Sequence, residues 1–519
     1  MNPKSSLKKP LLLFPLLLAI YPSLALFQWN IREVPLQVLW RPLFLSLGCA
    51  LLLLVMIKWI IKEWARAALY TSLFILLFAS FGQVHYALED VPFLEKFPAS
   101  YGWLGLIYTA LLIGGALLIS RNKPTSRTLW AMNAAAGLLV LIPLVKIVWY
   151  QLKPDFKPIY PDNWAPSVQA NSDKPDVYYF VLDGYARADY MDFRIGYDNT
   201  AFIQELDKRG FYVAQCSRTN YNNTIIALTS TLNMRYFPDL EELAKNQGLG
   251  RSQVWRYLKP NLTIAAFKSL GYQTVAFDTG YYWSTLQNAD IFLEPWTDPG
   301  DPPHMTTLEY LLLKSTPLAA LYGRSGEFTP TRLDDITFPY AYHVAQQEYI
   351  LDQAPRIAQI DAPTFAFIHI MIPHEPMVFS PEGIMTSPLY FGAKGNWPMT
   401  PVAFQRAYAN GVAYLNPRLL EIVDRIIAES DTPPIIILQG DHGFWSGTNL
   451  PILNAYYLPG EASDLLYPTI SPINTFRLIF NNYFGAELGM MADVSFLVND
   501  INTPVEEQMA GCNGPIQAK

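Results

Sequence analysis

Asp176-Val-Tyr-Tyr-Phe-Val-Leu-Asp-Gly184 reads as a strand that is apolar on both faces and stops at a carboxylate. Alternation of apolar and polar residues would mark a half-solvated strand. Its absence here marks a parallel strand covered by helices on both sides. Two later runs repeat the pattern. Residues 365–371 lead into Pro373-His374-Glu375-Pro376, and residues 435–438 lead into Gly440-Asp441-His442-Gly443. Helix patterns lie between: 200–209 before Gly210, 225–234, and 262–270 before Gly271, with a short strand at 274–277. The expectation is an α/β domain over 175–519 with a central, mostly parallel sheet.

The preceding third of the chain differs. The 519 residues carry 37 Lys and Arg against 44 Asp and Glu, but residues 1–150 hold 13 and 5, leaving 24 and 39 beyond. An acidic outer part argues against nucleic-acid binding, which needs clustered cations. Apolar stretches at 11–27, 42–60, 67–84, 102–119 and 129–149 are each near the ~20 residues that cross a bilayer. They predict a bundle of five transmembrane helices over 1–150. Lys4, Lys8 and Lys9, then Lys58, Lys62 and Arg66, then Arg121, Lys123 and Arg127 alternate to one side. The positive-inside rule puts that side, and the N-terminus, in the cytoplasm, and five crossings put the remainder outside the inner (plasma) membrane. Residues 151–174, rich in Pro, read as a semi-rigid linker. Three Cys exclude a disulfide scaffold. Cys216 and Cys512 both fall in the outer part, where a disulfide is permitted but not required by anything in the sequence.

Open α/β sheets bind ligands beyond the carboxyl ends of their strands. Asp183, Asp441 and His442 occupy such ends and form a hard, mixed oxygen and nitrogen donor set that suits one divalent metal, zinc or manganese. Thr224 follows the Asn-rich run Asn220-Tyr-Asn-Asn223 and precedes an apolar helix, so it falls at a helix N-terminus, where anions are favoured. A metal beside it would make its hydroxyl a usable nucleophile. His374 is the candidate for contact with substrate or leaving group, and Asn222 and Arg187 for holding substrate oxygens. His369, set among apolar neighbours, reads as a core histidine, and His304 and His343 as surface or packing residues.

These four segments, with Phe267-Lys-Ser-Leu-Gly-Tyr-Gln-Thr274, resemble the sulfatase/alkaline phosphatase superfamily in order and spacing. The spans with an external domain resemble its membrane-anchored group, the lipoteichoic acid synthases and phosphoethanolamine transferases. The resemblance implies that Asp183, Thr224, Asp441 and His442 bind one metal and that Thr224 becomes phosphorylated. A sulfatase would need a Cys-x-Pro-x-Arg type motif. Cys216-Ser-Arg218 lacks the proline, which disfavours sulfate-ester hydrolysis. No ligand set for a second metal is evident.

The expected function is transfer of a phospho-alcohol head group from a membrane lipid to an alcohol on a lipid or glycan. The same chemistry with water as acceptor is a hydrolase, and a non-catalytic membrane scaffold is the rival from another class. A transporter is poorly supported, because Lys58 and Lys146 are the only charges within the spans and both lie near span ends.

Overall fold

The structure is a computed structural model, describing residues 11–31, 34–89, 101–152, 158, 174–246, 251–281, 284–295, 305–318, 339–384, 401–444, 448–505 and 512. The N-terminal lysines, nearly all of the Pro-rich linker and His304 lie outside the described residues. The chain divides into two compact units, Met1–Pro154 with Pro302–Pro339, and Asp155–Asp301 with Tyr340–Lys519.

The first unit is helical: α1 (Phe14–Trp29), α2 (Trp40–Ile61), α3 (Trp64–Glu89), α4 (Tyr101–Arg121) and α5 (Ser126–Gln151). Four stretches are long and apolar enough to cross a membrane: Leu36–Ile61, Trp64–His85, Gly102–Arg121 and Ser126–Gln151. The expected fifth, α1, is shorter at 16 residues. Leu11–Leu13 are described but lie outside the helix, so the apolar run is longer than the helical one. Within the same unit, the short helix of Thr307–Lys314 lays Leu308 among Leu24, Phe27, Leu39, Val140 and Ile147.

The second unit is built on a seven-stranded sheet of order β2-β9-β8-β1-β5-β3-β4. These strands are β1 (Val177–Leu182), β2 (Tyr212–Val213), β3 (Gln273–Phe277), β4 (Ile291–Leu293), β5 (Thr364–Ile370), β8 (Ile435–Gly440) and β9 (Asn454–Tyr457), while β6 (Phe379–Ser380) and β7 (Gly383–Ile384) pair separately. β8, β1, β5, β3 and β4 run parallel, and the β9 and β2 edge is antiparallel. The expected mostly parallel sheet is therefore present, as a mixed sheet.

Alternate residues of β1 explain its unbroken apolar run. Tyr178, Phe180 and Leu182 enter one core and Val177, Tyr179 and Val181 the other, since successive side chains of a strand point to opposite faces. The first core is covered by a helix over Pro401–Glu429, through Tyr408, Val412, Leu415 and Leu419. The second is covered by the helices Thr224–Asn233, Leu262–Ser269 and Pro472–Phe484. Both faces being dry, the open edge at the strand ends is where polar side chains collect.

Candidate metal centre and active site

Register brings the expected residues to one edge. Leu182 pairs with Gly440 on one side and with Ile370 on the other, so the residues that follow leave the sheet together. Asp183 thus stands between the Asp441-His442 turn and the His374 loop. Two glycines make the approach possible. Gly184 takes the left-handed turn (φ +71°) after Asp183, and at Gly443 a Cβ would lie 2.5 Å from the Pro451 carbonyl oxygen.

Donor atoms of Asp183, His374 and His442 all fall within 4.8 Å of one another. His442 Nε2 is 3.5 Å from Asp183 Oδ1 and 3.7 Å from Asp441 Oδ2. His374 Nε2 is 3.9 Å from Asp183 Oδ1. Asp441 Oδ1 accepts the Gly184 N–H at 3.0 Å, and His369 Nε2–H donates to Asp183 Oδ2 at 3.2 Å. Each carboxylate is therefore oriented by one oxygen. The other oxygens, Asp183 Oδ1 and Asp441 Oδ2, are buried without a hydrogen-bond partner among the described residues.

The imidazoles are oriented in the complementary sense. His442 Nδ1 is bonded to the Gly443 carbonyl at 2.9 Å and His374 Nδ1 to the Glu375 carbonyl at 2.6 Å. A carbonyl only accepts, so Nδ1 carries the proton and a neutral ring turns its Nε2 lone pair toward the carboxylates. Lone pairs facing lone pairs repel unless a cation lies between them. Two orphaned carboxylate oxygens and two imidazole nitrogens thus fit a divalent cation such as zinc. Without a metal, the same carboxylates draw a proton instead. Burial pushes the Asp183 carboxyl up, but His374, the His369 hydrogen bond and His442 hold it well below the usual carboxylate range. Burial pushes the His442 imidazole down, but Asp441, Asp183 and the Gly443 carbonyl raise it on balance.

Thr224 is the first residue of its helix and is buried; Asn223, the N-cap, accepts the Ile226 N–H at 3.3 Å. The loop leading to it is pinned to the Asp441 main chain by Thr219 Oγ1, which donates to the Asp441 carbonyl at 2.6 Å. Asn222 Oδ1 accepts the Val498 N–H at 2.7 Å. Arg187, only 5 % exposed, donates from Nε and Nη2 to Asp189 and from Nη1 to the Ser217 carbonyl. The structure therefore groups Asp183, His374 and His442 with Asp441 alongside, and uses Arg187 and Asn222 to hold neighbouring chain segments.

Two histidines matter more than their sequence context suggests. His369 is fully buried, as a core residue would be, yet it orients Asp183. His343, on the helix Pro339–Gln353, is buried beside His374, and burial together with His374 pushes its imidazole down to about 3. On the same helix Gln347 Oε1 accepts the Met371 N–H at 2.8 Å, fixing the start of the His374 loop. Their spacing of four residues places both on one helix face, which is the signal that could have found them.

No protein-family model matches the chain, and no curated protein matches it. Solved structures do. The C-terminal periplasmic domain of EcEptC from Escherichia coli, in complex with zinc, is similar at 12% identity and a TM-score of 0.40, over 66% of this chain and 96% of that one. The integral membrane lipooligosaccharide phosphoethanolamine transferase A from Neisseria meningitidis is similar at 10% identity and a TM-score of 0.33, over 86% of each chain. An alkaline phosphatase superfamily protein from Vibrio parahaemolyticus is similar at 13% identity and a TM-score of 0.34, over 63% of this chain and 72% of that one.

Proposed function

We propose that this chain is a membrane-bound, metal-dependent transferase that moves a phospho-alcohol head group from a lipid to an acceptor alcohol through phospho-Thr224. The observation that carries the reading is the pair of carboxylate oxygens that face His442 Nε2 at the carboxyl edge of the sheet and have no hydrogen-bond partner among the described residues. Asp183, Asp441 and His442, with Thr224 completing the set, would hold one divalent metal, zinc by preference for this donor mixture. Bound there, such an ion would lower the pKa of the Thr224 hydroxyl and offset charge on the phosphoryl oxygens.

The protein's own groups do the rest. Thr224 opens a ten-residue helix whose first-turn N–H groups favour a phosphoryl oxygen. Its Oγ, having released a proton to water, bonds to phosphorus as the bond to the lipid alcohol breaks. His374 is the member of the group most open to solvent, with a side-chain exposure of 16% against 5% for His442 and 1% for Asp183. With the cation held by the other four, the His374 Nε2 is left for the substrate, and an imidazolium there would give its Nε2 proton to the departing alkoxide. An alcohol on a lipid or glycan then displaces Thr224 and regenerates it.

Five spans with the N-terminus in the cytoplasm would put this unit outside the inner membrane, within reach of outer-leaflet lipids. The Cys216–Cys512 disulfide supports that side, since such bonds persist in oxidising compartments.

Intact-mass analysis of the full chain, incubated with vesicles of bacterial phospholipids, tests the reading. A head-group phosphate adduct should appear on Thr224. Thr224→Ala should abolish it, and Asp441→Asn should abolish both the adduct and retained metal. Turnover persisting in Thr224→Ala, or an adduct on another residue, overturns it. Head group released equally fast without acceptor would reassign the chain as a hydrolase.

A further inference from the structure

The carboxyl-terminal ends of α1 and α5 leave a cavity of about 240 Å³ lined by Gln28, Ile31, Val145, Lys146, Trp149 and Tyr150. Ile31, Val145 and Trp149 make the walls mainly apolar. Lys146 supplies one ammonium, exposed and with no hydrogen bond or ion pair among the described residues. It lies five residues before the end of α5, about 7–8 Å along the axis at the usual helical rise. In a helix of this length centred on a bilayer, the Lys146 backbone lies about 11 Å from the midplane, just inside the hydrocarbon, from where its long side chain can snorkel to the phosphate level. Trp29, 79 % exposed, and Trp149, 71 % exposed, mark the same level, because indoles settle where head groups meet hydrocarbon.

A lysine at that depth is costly unless it reaches water or an anion. Inorganic phosphate would have to leave water to enter an apolar cleft. A phospholipid brings its phosphate on chains that already occupy the apolar side. We infer that this cavity binds one anionic glycerophospholipid, its phosphate at the Lys146 ammonium and its glycerol and upper acyl chain against Ile31, Val145 and Trp149. The inference rests on α1 and α5 being membrane helices and not on the transfer chemistry, so the two can fail separately.

The test uses the full chain in detergent with equal phosphatidylglycerol and phosphatidylcholine, and native mass spectrometry to count retained lipids. Wild type should favour phosphatidylglycerol. Lys146→Gln should lower that preference about fivefold, the order expected for one cation near an anionic surface, and Lys146→Arg should keep it. Lys58, in the last turn of α2, is the control, and Lys58→Gln should leave the preference intact. An unchanged preference in Lys146→Gln, or an equal fall in Lys58→Gln, overturns the site. So does equal loss of both lipids in Lys146→Gln, which would make the lysine a packing residue only.

Discussion

Asp176 sits at the foot of β1, the far end of the strand from Asp183. Its carboxylate accepts the Thr364 N–H at 2.7 Å and its carbonyl accepts the Ile435 N–H at 2.8 Å, so it joins β1 to both neighbours where the sheet begins. Burial raises its pKa to about 6, against the lowering effect of the Thr364 N–H. The sign follows from linkage. Between the unfolded value near 4 and the folded value the native state binds more protons, so stability falls as pH rises through that window. Asp176→Asn, which keeps an acceptor for Thr364, should stabilise the protein at pH 7 by about 1 kcal/mol, after discounting for the solvent that reaches a half-buried group. Thermal melting of the two proteins should converge toward pH 4; a gap that stays constant with pH would refute the assignment. Residues of this kind also show what the sequence disclosed. Asp183, His374, Asp441 and His442 were legible because each follows a strand, and strand ends share an edge. His369 was not, because its partner Asp183 lies across a strand pairing that no local pattern encodes, and Phe367, Ile368 and Ile370 disguise it as core.

Long apolar elements were legible and short ones were not. β1, β5 and β8 are buried throughout, and the sequence places each within a residue or two of its observed bounds. β4 and β9, of three and four residues, offer too few positions for a period to register. The helix of Thr307–Lys314 is similar in being only eight residues long, yet it carries a capping box between Thr306 and Glu309 that fixes its start. Glu309 is shared with Arg41, the second residue of α2, as an ion pair, and the Ser315 carbonyl accepts the Gly82 N–H of α3 at 2.8 Å. Leu308, fully buried, supplies the apolar contact. Leu312 packs against the same cluster and Tyr310 is buried as well, but Leu308 is the side chain wholly enclosed. Leu308→Asp would bury a carboxylate among apolar groups, at a cost of several kcal/mol. The helix should then leave the bundle, and trypsin should cut after Lys314 in reconstituted vesicles at least tenfold faster than in wild type. Equal cleavage rates would show that the polar ties suffice.

At the scale of the molecule, charge and covalent linkage bear on one question, which side of the bilayer holds the sheet unit. Residues 151–519 carry 39 acidic against 24 basic residues, a composition that repels anionic lipid head groups, whereas the first 150 carry the opposite excess. The sheet unit is therefore not drawn to a membrane surface by its own charge, and a covalent connection to membrane helices is what would keep a site of this kind near lipid. Cys216 and Cys512 close a long loop across the unit, 296 residues apart in sequence. Closing so long a loop removes much of the unfolded chain's freedom, worth about 2–5 kcal/mol in small domains. That stabilisation is present only where the thiols oxidise, so the redox state of Cys216 and Cys512 in cells would report the compartment. In intact cells treated with a mild impermeant reductant, a membrane-impermeant maleimide should label Cys216 and Cys512, and Cys216→Ser should lower the melting temperature as reduction does. If both cysteines react only after the cells are opened, the sheet unit lies in the cytoplasm. Either the count of crossings or the side of the N-terminus would then have to change, and the site would lose access to outer-leaflet lipid.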